Sequence, residues 1–262
     1  MAEQLVTVEK VAPLVRYVTL NRPEKRNAIS TPMRAQLFET LQAHDNDADV
    51  RVSIVRGAGV CFSSGYDLGS SLMDDPPYPS APGDGQWARQ ATDGWFGIWD
   101  LAKPVIAQVH GYAMAGATEL ASACDLVYVA DDAQISYPVV RVASPPDWQY
   151  HEPLMGMRHA METMLTGDGM DGIEAMRRGW ANRSYPAEQL EAEVLAVAER
   201  IAGVAGDLSQ IVKRMVHRQF DVQGGRAAMR AGQEFQALAG HQASVEAFKA
   251  DPLAAMKKTV KE

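Results

Sequence analysis

Residues 113–123 form a run of almost exclusively small side chains, set between two short apolar segments at 104–109 and 126–130. Small side chains let a helix bring its backbone very close to neighbouring strands, so the run calls for a short buried helix between two strands. Pro104 heads the first segment, where a missing N–H costs least, and His110-Gly111 breaks it. A single carboxylate, Glu119, stands among Ala, Gly, Thr and Leu. Burial at such a place raises a carboxyl pKa, and that prepares a general acid or base. Gly116, three residues earlier, falls at the helix start, where N–H groups without intrahelical partners can hold an oxyanion. On these residues alone, a Glu119 on a solvated face and a glycine kept for packing is the simpler account.

The same alternation recurs upstream. Residues 5–9 and 14–20 read as strands joined by a turn at Ala12-Pro13, and Asn21-Arg22-Pro23 ends the second. Ser30-Thr31-Pro32 opens a helix with a hydroxyl cap and an early proline, and Met33, Leu37, Phe38 and Leu41 give it an apolar stripe. Residues 50–56 read as a strand that stops at Gly57-Ala58-Gly59. Strands alternating with helices predict an α/β architecture with much parallel pairing. Residues 70–85, rich in Pro, Gly, Ser and Asp, read as a long loop. A helix over 86–101 follows, carrying Trp87, Trp95, Phe96 and Trp99, a density that suits a core or the wall of a pocket. Beyond Tyr185-Pro186 strand signals fade, and 187–205, 207–221, 226–250 and 254–261 read as helices. Their basic residues, Lys213, Arg214, Arg218, Lys249, Lys257 and Lys258, read as solvated charges, a few of them available to a phosphate-bearing ligand.

With 262 residues the chain can bury a large core, as one domain or a domain with an appendage. A net charge of −8 gives no support to nucleic-acid or anionic-membrane binding. Cys61 and Cys124 are far apart in apolar settings, which reads as buried thiols in a reducing compartment, and no zinc-type Cys/His spacing is present. No apolar h-region opens the chain and no apolar stretch reaches the roughly 20 residues of a membrane span, so a cytoplasmic protein is expected.

Three stretches carry a resemblance. They are Leu20-Asn21-Arg22-Pro23-Glu24-Lys25-Arg26-Asn27-Ala28-Ile29; Gly57 through Ser63-Ser64-Gly65-Tyr66-Asp67-Leu68; and His110-Gly111 through Gly116-Ala117-Thr118-Glu119-Leu120 to Cys124-Asp125-Leu126. In this order they closely resemble the enoyl-CoA hydratase/isomerase family, the crotonase superfamily. Leu165-Thr166-Gly167-Asp168 and the segment 175–182 resemble its later helices. The resemblance implies a spiral of ββα units over 1–195 holding an acyl-CoA site, and a helical C-terminal oligomerisation region over 196–262, assembled as a homotrimer or a dimer of trimers. It implies that the thioester carbonyl rests on the backbone N–H groups of Tyr66 and Gly116, leaving the Tyr66 side chain free. It also implies that Lys25, Arg26, Ala28, Ser64, Asp67 and Leu68 cradle the nucleotide and pantetheine. Coenzyme A then arrives as part of the substrate, with no separate cofactor and no metal.

One departure stands out. The family's hydratases pair Glu119 with a second glutamate in a Pro-Glu step, and here Val139 follows Pro138. Valine neither holds a water nor delivers a proton. The following segment brings Asp147, His151 and Glu152 as substitutes, of which Asp147 is the first choice for a second catalytic group beside Glu119. Hydration of a 2-enoyl-CoA is the leading expectation. Alternatives are a single-base isomerase, decarboxylase or thioester hydrolase, and a catalytically weak acyl-CoA-binding member.

Overall fold

A computed structural model describes residues 3–69 and 85–259. The strands are β1 (Val6–Ala12), β2 (Val15–Leu20), β3 (Val52–Gly57), β4 (Val105–Val109), β5 (Tyr112–Met114), β6 (Leu126–Ala130), β7 (Gln134–Ser136) and β8 (Arg183–Tyr185). The helices are α1 (Thr31–Asn46), α2 (Gln86–Trp99), α3 (Gly116–Ala123), α4 (His151–Thr166), α5 (Gly172–Arg177), α6 (Ala187–Ala202), α7 (Gly206–Val222), α8 (Gly225–Arg230), α9 (Gly232–Ala239), α10 (Glu246–Ala250) and α11 (Pro252–Thr259). Ser30 caps α1, its Oγ accepting the Met33 N–H, and the predicted stripe of Met33, Leu37, Phe38 and Leu41 is buried.

The main sheet runs β1-β2-β3-β4-β6-β8, antiparallel only between β1 and β2. A second, thinner ladder runs beside it. Ile29 bridges Tyr66, Ser63 bridges Ala113, β5 pairs with β7, and Ile135 bridges Met170. Each unit thus contributes one strand to the main sheet and a short extended rung to the second ladder, which is the ββα spiral expected from the resemblance. The rungs that carry Tyr66, Ala113 and Ser136 lead straight into the three stretches that hold the candidate site.

Asn27 locks the first rung to the second. Its side chain is fully buried, accepts the Arg22 N–H at 3.0 Å and donates to the carbonyls of Ala58 at 2.8 Å, Cys61 at 2.9 Å and Phe62 at 3.2 Å. Ser63 Oγ donates to the Asn27 carbonyl at 2.7 Å and accepts the Gly65 N–H at 3.1 Å.

Several sequence expectations change. The stretch 113–123 is not one helix: Tyr112–Met114 is a strand and α3 begins at Gly116, because the Met114 N–H is spent on Ser63 and the Ala115 N–H on Ser136. The predicted helix over 226–250 is broken into α8, α9, a 3-10 turn at Ala243–Val245 and α10. A Cβ on Gly232, at the α8/α9 break, would lie 2.8 Å from the carbonyl oxygens of both Pro146 and Asp147, so tertiary contact overrides helical continuity there. The boundary expected at 195/196 falls inside α6, whose buried Leu190, Val194, Val197, Ala198 and Ala202 seat it against the sheet; the peripheral helical part begins at α7. Lys213 on α7 is buried rather than solvated, and its Nζ lies 2.8 Å from Asp125 Oδ2. Of the expected 70–85 loop, residues 70–84 lie outside the described residues. Cys61 and Cys124 are buried and unbonded to each other. Among the described residues no helix is long and apolar enough to cross a membrane.

Replacing Asn27 with Ala strands three carbonyls and one N–H in the interior. It should lower the unfolding free energy by roughly 2–4 kcal/mol. Chemical denaturation measures this, and an unchanged midpoint would show that the rungs are held by other contacts.

Candidate active site

The short α3 is entirely buried, as its composition demands. Its N-terminus is set by backbone strain: Ala115 takes φ 49°, ψ −122°, a conformation that costs a non-glycine residue on the order of 1–3 kcal/mol. Gly65 has φ +91°, and a Cβ built on it would lie 2.5 Å from the Met114 carbonyl and 3.3 Å from the Gly116 nitrogen. The Gly65–Tyr66 backbone therefore runs against the start of α3. Among the described residues, the N–H groups of Tyr66 and Gly116 have no acceptor. Two open donors brought together in this way suit an oxyanion.

Glu119 is 0 % exposed and wholly engaged. Tyr66 Oη donates to its Oε2 at 2.8 Å, Trp95 Nε1 donates to the same oxygen at 3.0 Å, and the Asp147 N–H donates to Oε1 at 3.1 Å. Burial raises the Glu119 carboxyl above its ordinary range, while the three donors work the other way. Asp147 is also buried and has one side-chain donor, Trp87 Nε1 at 3.0 Å on its Oδ2. Burial, and then the facing charge of Glu119, hold its carboxyl well above the usual range. Two carboxylates this close do not both ionise readily; the one with more donors keeps the charge and the other the proton. With three donors against one, Glu119 is the better placed of the two to carry a negative charge and Asp147 to keep a proton.

The fully buried Arg34 of α1 supplies the balancing cation. Its Nη2 donates to the Gln90 carbonyl at 3.2 Å, and its guanidinium carbon lies 5.2 to 5.9 Å from the ring centroids of Trp87, Trp95, Phe38 and Tyr66. The loop bearing Asp147 is anchored on both sides. Thr92 Oγ1 donates to the Asp147 carbonyl at 2.9 Å, the Gln149 N–H donates to the Met229 carbonyl at 3.0 Å, and Gly232 admits the close approach of α9.

Beside this cluster lies a cavity of about 240 Å³, walled by Ser64, Tyr66, Leu68, Trp87, Ala115, Tyr137, Val139, Ala143, Ser144, Asp147, Gln236, Phe248 and Met256. Of the residues singled out in the sequence, Tyr66, Asp147, Ser64, Leu68, Trp87 and Val139 face it directly. Lys25 and Arg26 are exposed on the turn at Pro23–Lys25, where the Arg26 carbonyl accepts the Ser64 N–H at 2.9 Å. The half-buried Ala28 offers its carbonyl to Arg22 Nη1 at 3.5 Å. Asp67 is ion-paired to Arg22 and braces the loop from behind. His151 is buried and stacked on Tyr150, its imidazole pushed down to about 3 by burial, and Glu152 faces a separate groove. Neither lines the cavity; Asp147 alone of the three does.

The Tyr66 side chain is not free. Its ring covers Gly116 so closely that a Cβ there would lie 2.5 Å from Tyr66 Cε2. Sequence reasoning missed this contact, the Trp95 bond to Glu119 and the role of Arg34. The one available signal was a lone arginine inside the apolar stripe of α1. Among the described residues no group of His, Cys, Asp and Glu side chains could hold a metal ion.

A main sheet joined to a second ladder of short rungs, followed by C-terminal helices, is the architecture of the crotonase fold. The family model described as enoyl-CoA hydratase/isomerase matches residues 12–252. The chain is 28% identical over 211 residues to the mitochondrial enoyl-CoA hydratase of Pongo abelii, covering 79% of this chain and 70% of that one. An enoyl-CoA hydratase structure from Mycobacterium smegmatis superposes with a TM-score of 0.87 at 28% identity, over 98% of this chain and 92% of that one. An enoyl-CoA hydratase/isomerase structure from Xanthobacter autotrophicus Py2 does so with a TM-score of 0.86 at 28% identity, over 98% and 96%. The chain belongs to the enoyl-CoA hydratase/isomerase family.

Because the folded state raises the Asp147 pKa, it binds that proton more tightly than the unfolded chain. The stabilisation is therefore complete below the unfolded carboxylate range and is lost as pH rises toward the folded value. Asp147→Asn, always neutral, should melt close to wild type at about pH 4 and increasingly above it toward about pH 8. Melting curves across that range check the sign; a difference independent of pH would show that Asp147 is ionised when folded.

Proposed function

We propose that the protein adds water across the double bond of a 2-enoyl-CoA thioester. The observation supporting this most directly is the buried Glu119–Asp147 pair beside the open N–H groups of Tyr66 and Gly116. In this reading the thioester oxygen accepts from both N–H groups. When water attacks C3, the double-bond electrons move toward that oxygen, and fixed donors stabilise the resulting charge by several kcal/mol. Glu119 is the base that ultimately receives the proton lost by water, and a proton is placed on C2. Asp147, protonated, holds the attacking water at the cavity wall where Val139 has no such capacity. Only protons and one water move, so the step needs nothing beyond the coenzyme A substrate.

A single-base isomerisation, decarboxylation or thioester hydrolysis needs no second titratable group, and the placement of Asp147 favours hydration over them. A binding-only member has no use for two buried carboxylates. In a crotonyl-CoA hydration assay, Glu119→Gln should lose ~10²–10⁴-fold in kcat with thioester binding nearly intact. Asp147→Asn should also lose activity, and Val139→Glu should gain none. Wild-type turnover in Glu119→Gln would reject the role of Glu119; a gain in Val139→Glu with no effect of Asp147→Asn would reject that of Asp147.

The assembly belongs to the same proposal. Leu208, Ile211, Val212, Met215 and Val216 leave one face of α7 apolar, each between 46 and 63% exposed. A homotrimer, alone or doubled, would cover that face. Light scattering should give a trimer or hexamer for the wild type and smaller species for Ile211→Glu/Met215→Glu; an unchanged mass in the double variant would place the contact elsewhere.

A further inference from the structure

The carboxylate required by the proposed hydration does not reach the ligand space. Glu119 is 0 % exposed, with one oxygen met by the Asp147 N–H and the other by Tyr66 Oη and Trp95 Nε1. Of the two side chains that donate to Glu119, Tyr66 lines the cavity and Trp95 does not. We propose that Tyr66 is the catalytic residue that touches the reacting atoms, and that Glu119 exchanges protons with the substrate through the Tyr66 hydroxyl. This deepens the hydratase reading and rests on it.

The ring is held where a relay needs it. It lies on Gly116, edge-on to Trp87 at 4.9 Å between centroids and 83°, and stacked over Trp95 at 6.4 Å and 27°. The Arg34 guanidinium sits 5.9 Å from its centroid. Swinging the phenol aside to uncover Glu119 would displace Trp87 and abandon two hydrogen bonds, the one Oη donates to Glu119 at 2.8 Å and the one it accepts from Trp95 Nε1 at 3.1 Å. Keeping the ring in place and passing protons through Oη costs neither. The backbone N–H of the same residue is a proposed oxyanion donor, so one residue faces both the carbonyl end and the carbon end of the conjugated system.

The steps balance. As the water oxygen bonds to C3, its proton passes to Tyr66 Oη while the phenolic proton passes to Glu119 Oε2. The C2–C3 π pair becomes the enolate, held on the N–H groups of Tyr66 and Gly116. Glu119 then returns its proton to Oη as the phenolic proton bonds to C2, using the enolate pair. One water is added, and Tyr66 and Glu119 end as they began. The phenol is never ionised at any stage. Burial and the facing Glu119 hold its pKa well above the ordinary value, which suits a shuttle that stays neutral.

Tyr66→Phe keeps the ring and removes the proton. With crotonyl-CoA, kcat should fall by ~10²–10⁴-fold with KM and melting temperature little changed. In Tyr66→Phe/Glu119→Gln the loss should not exceed the larger single loss, because residues acting in series fail as a unit. Wild-type kcat in Tyr66→Phe, or losses that multiply in the double variant, would overturn the relay. A second measurement needs no variant: single-turnover rates of the wild type in mixtures of H₂O and D₂O should bow downward, as two protons in flight require, and a straight line would overturn it. If the wild type neither hydrates crotonyl-CoA nor exchanges the C2 protons of a saturated acyl-CoA with D₂O, the hydratase reading itself falls and the relay with it. Turnover that survives Tyr66→Phe would instead sink the relay alone.

Discussion

The Glu119 carboxylate fixes the placement of everything around it. A charge in a wholly buried helix of small residues costs several kcal/mol unless donors surround it. The donors come from three separate segments: Tyr66 in the second rung, Trp95 in α2, and the backbone of Asp147 in the segment after β7. Hydrogen bonds to a charged group contribute about 1.5–3 kcal/mol each, so all three segments are drawn to one point. The bond from the Asp147 N–H to Glu119 holds this residue at the cavity wall.

Charge is balanced within the same cluster. The Arg34 guanidinium draws down the pKa of both the Glu119 and the Asp147 carboxyl against the burial that raises them. The aromatic rings of Phe38, Tyr66, Trp87 and Trp95 enclose that guanidinium. A low-dielectric wall of this kind strengthens each interaction inside it, so the cluster holds a defined geometry.

Close backbone approach makes the arrangement possible. Gly65, Gly116 and Gly232 each stand where a Cβ would lie within 3 Å of a carbonyl oxygen or a ring carbon. Ala115 holds the strained turn that starts α3 beside the second rung, and the ladder of rungs keeps that turn from relaxing. The strain at Ala115 therefore sits beside the two open N–H groups of Tyr66 and Gly116.

The sequence determined much of this by itself. Helical spacing of Met33, Leu37, Phe38 and Leu41 fixed the buried face of α1, and the small residues before Asp125 required a helix inside the core. Both signals are local, and local patterns survive without knowledge of contacts. The loss of a proton-carrying group at Val139 was legible for the same reason. Only the tertiary structure decided which side chains share the cavity wall with Val139, Asp147 among them. The division of 226–250 into separate helices follows from Gly232 meeting the Pro146 and Asp147 carbonyls, a contact between residues more than eighty positions apart. The burial of Arg34, the bond from the Tyr66 hydroxyl to Glu119 and the raised pKa of Asp147 depend likewise on side chains brought together from distant segments. Periodicity and spacing record which face of an element is buried, but the desolvation and donor count that set a group's charge exist only once those elements have packed.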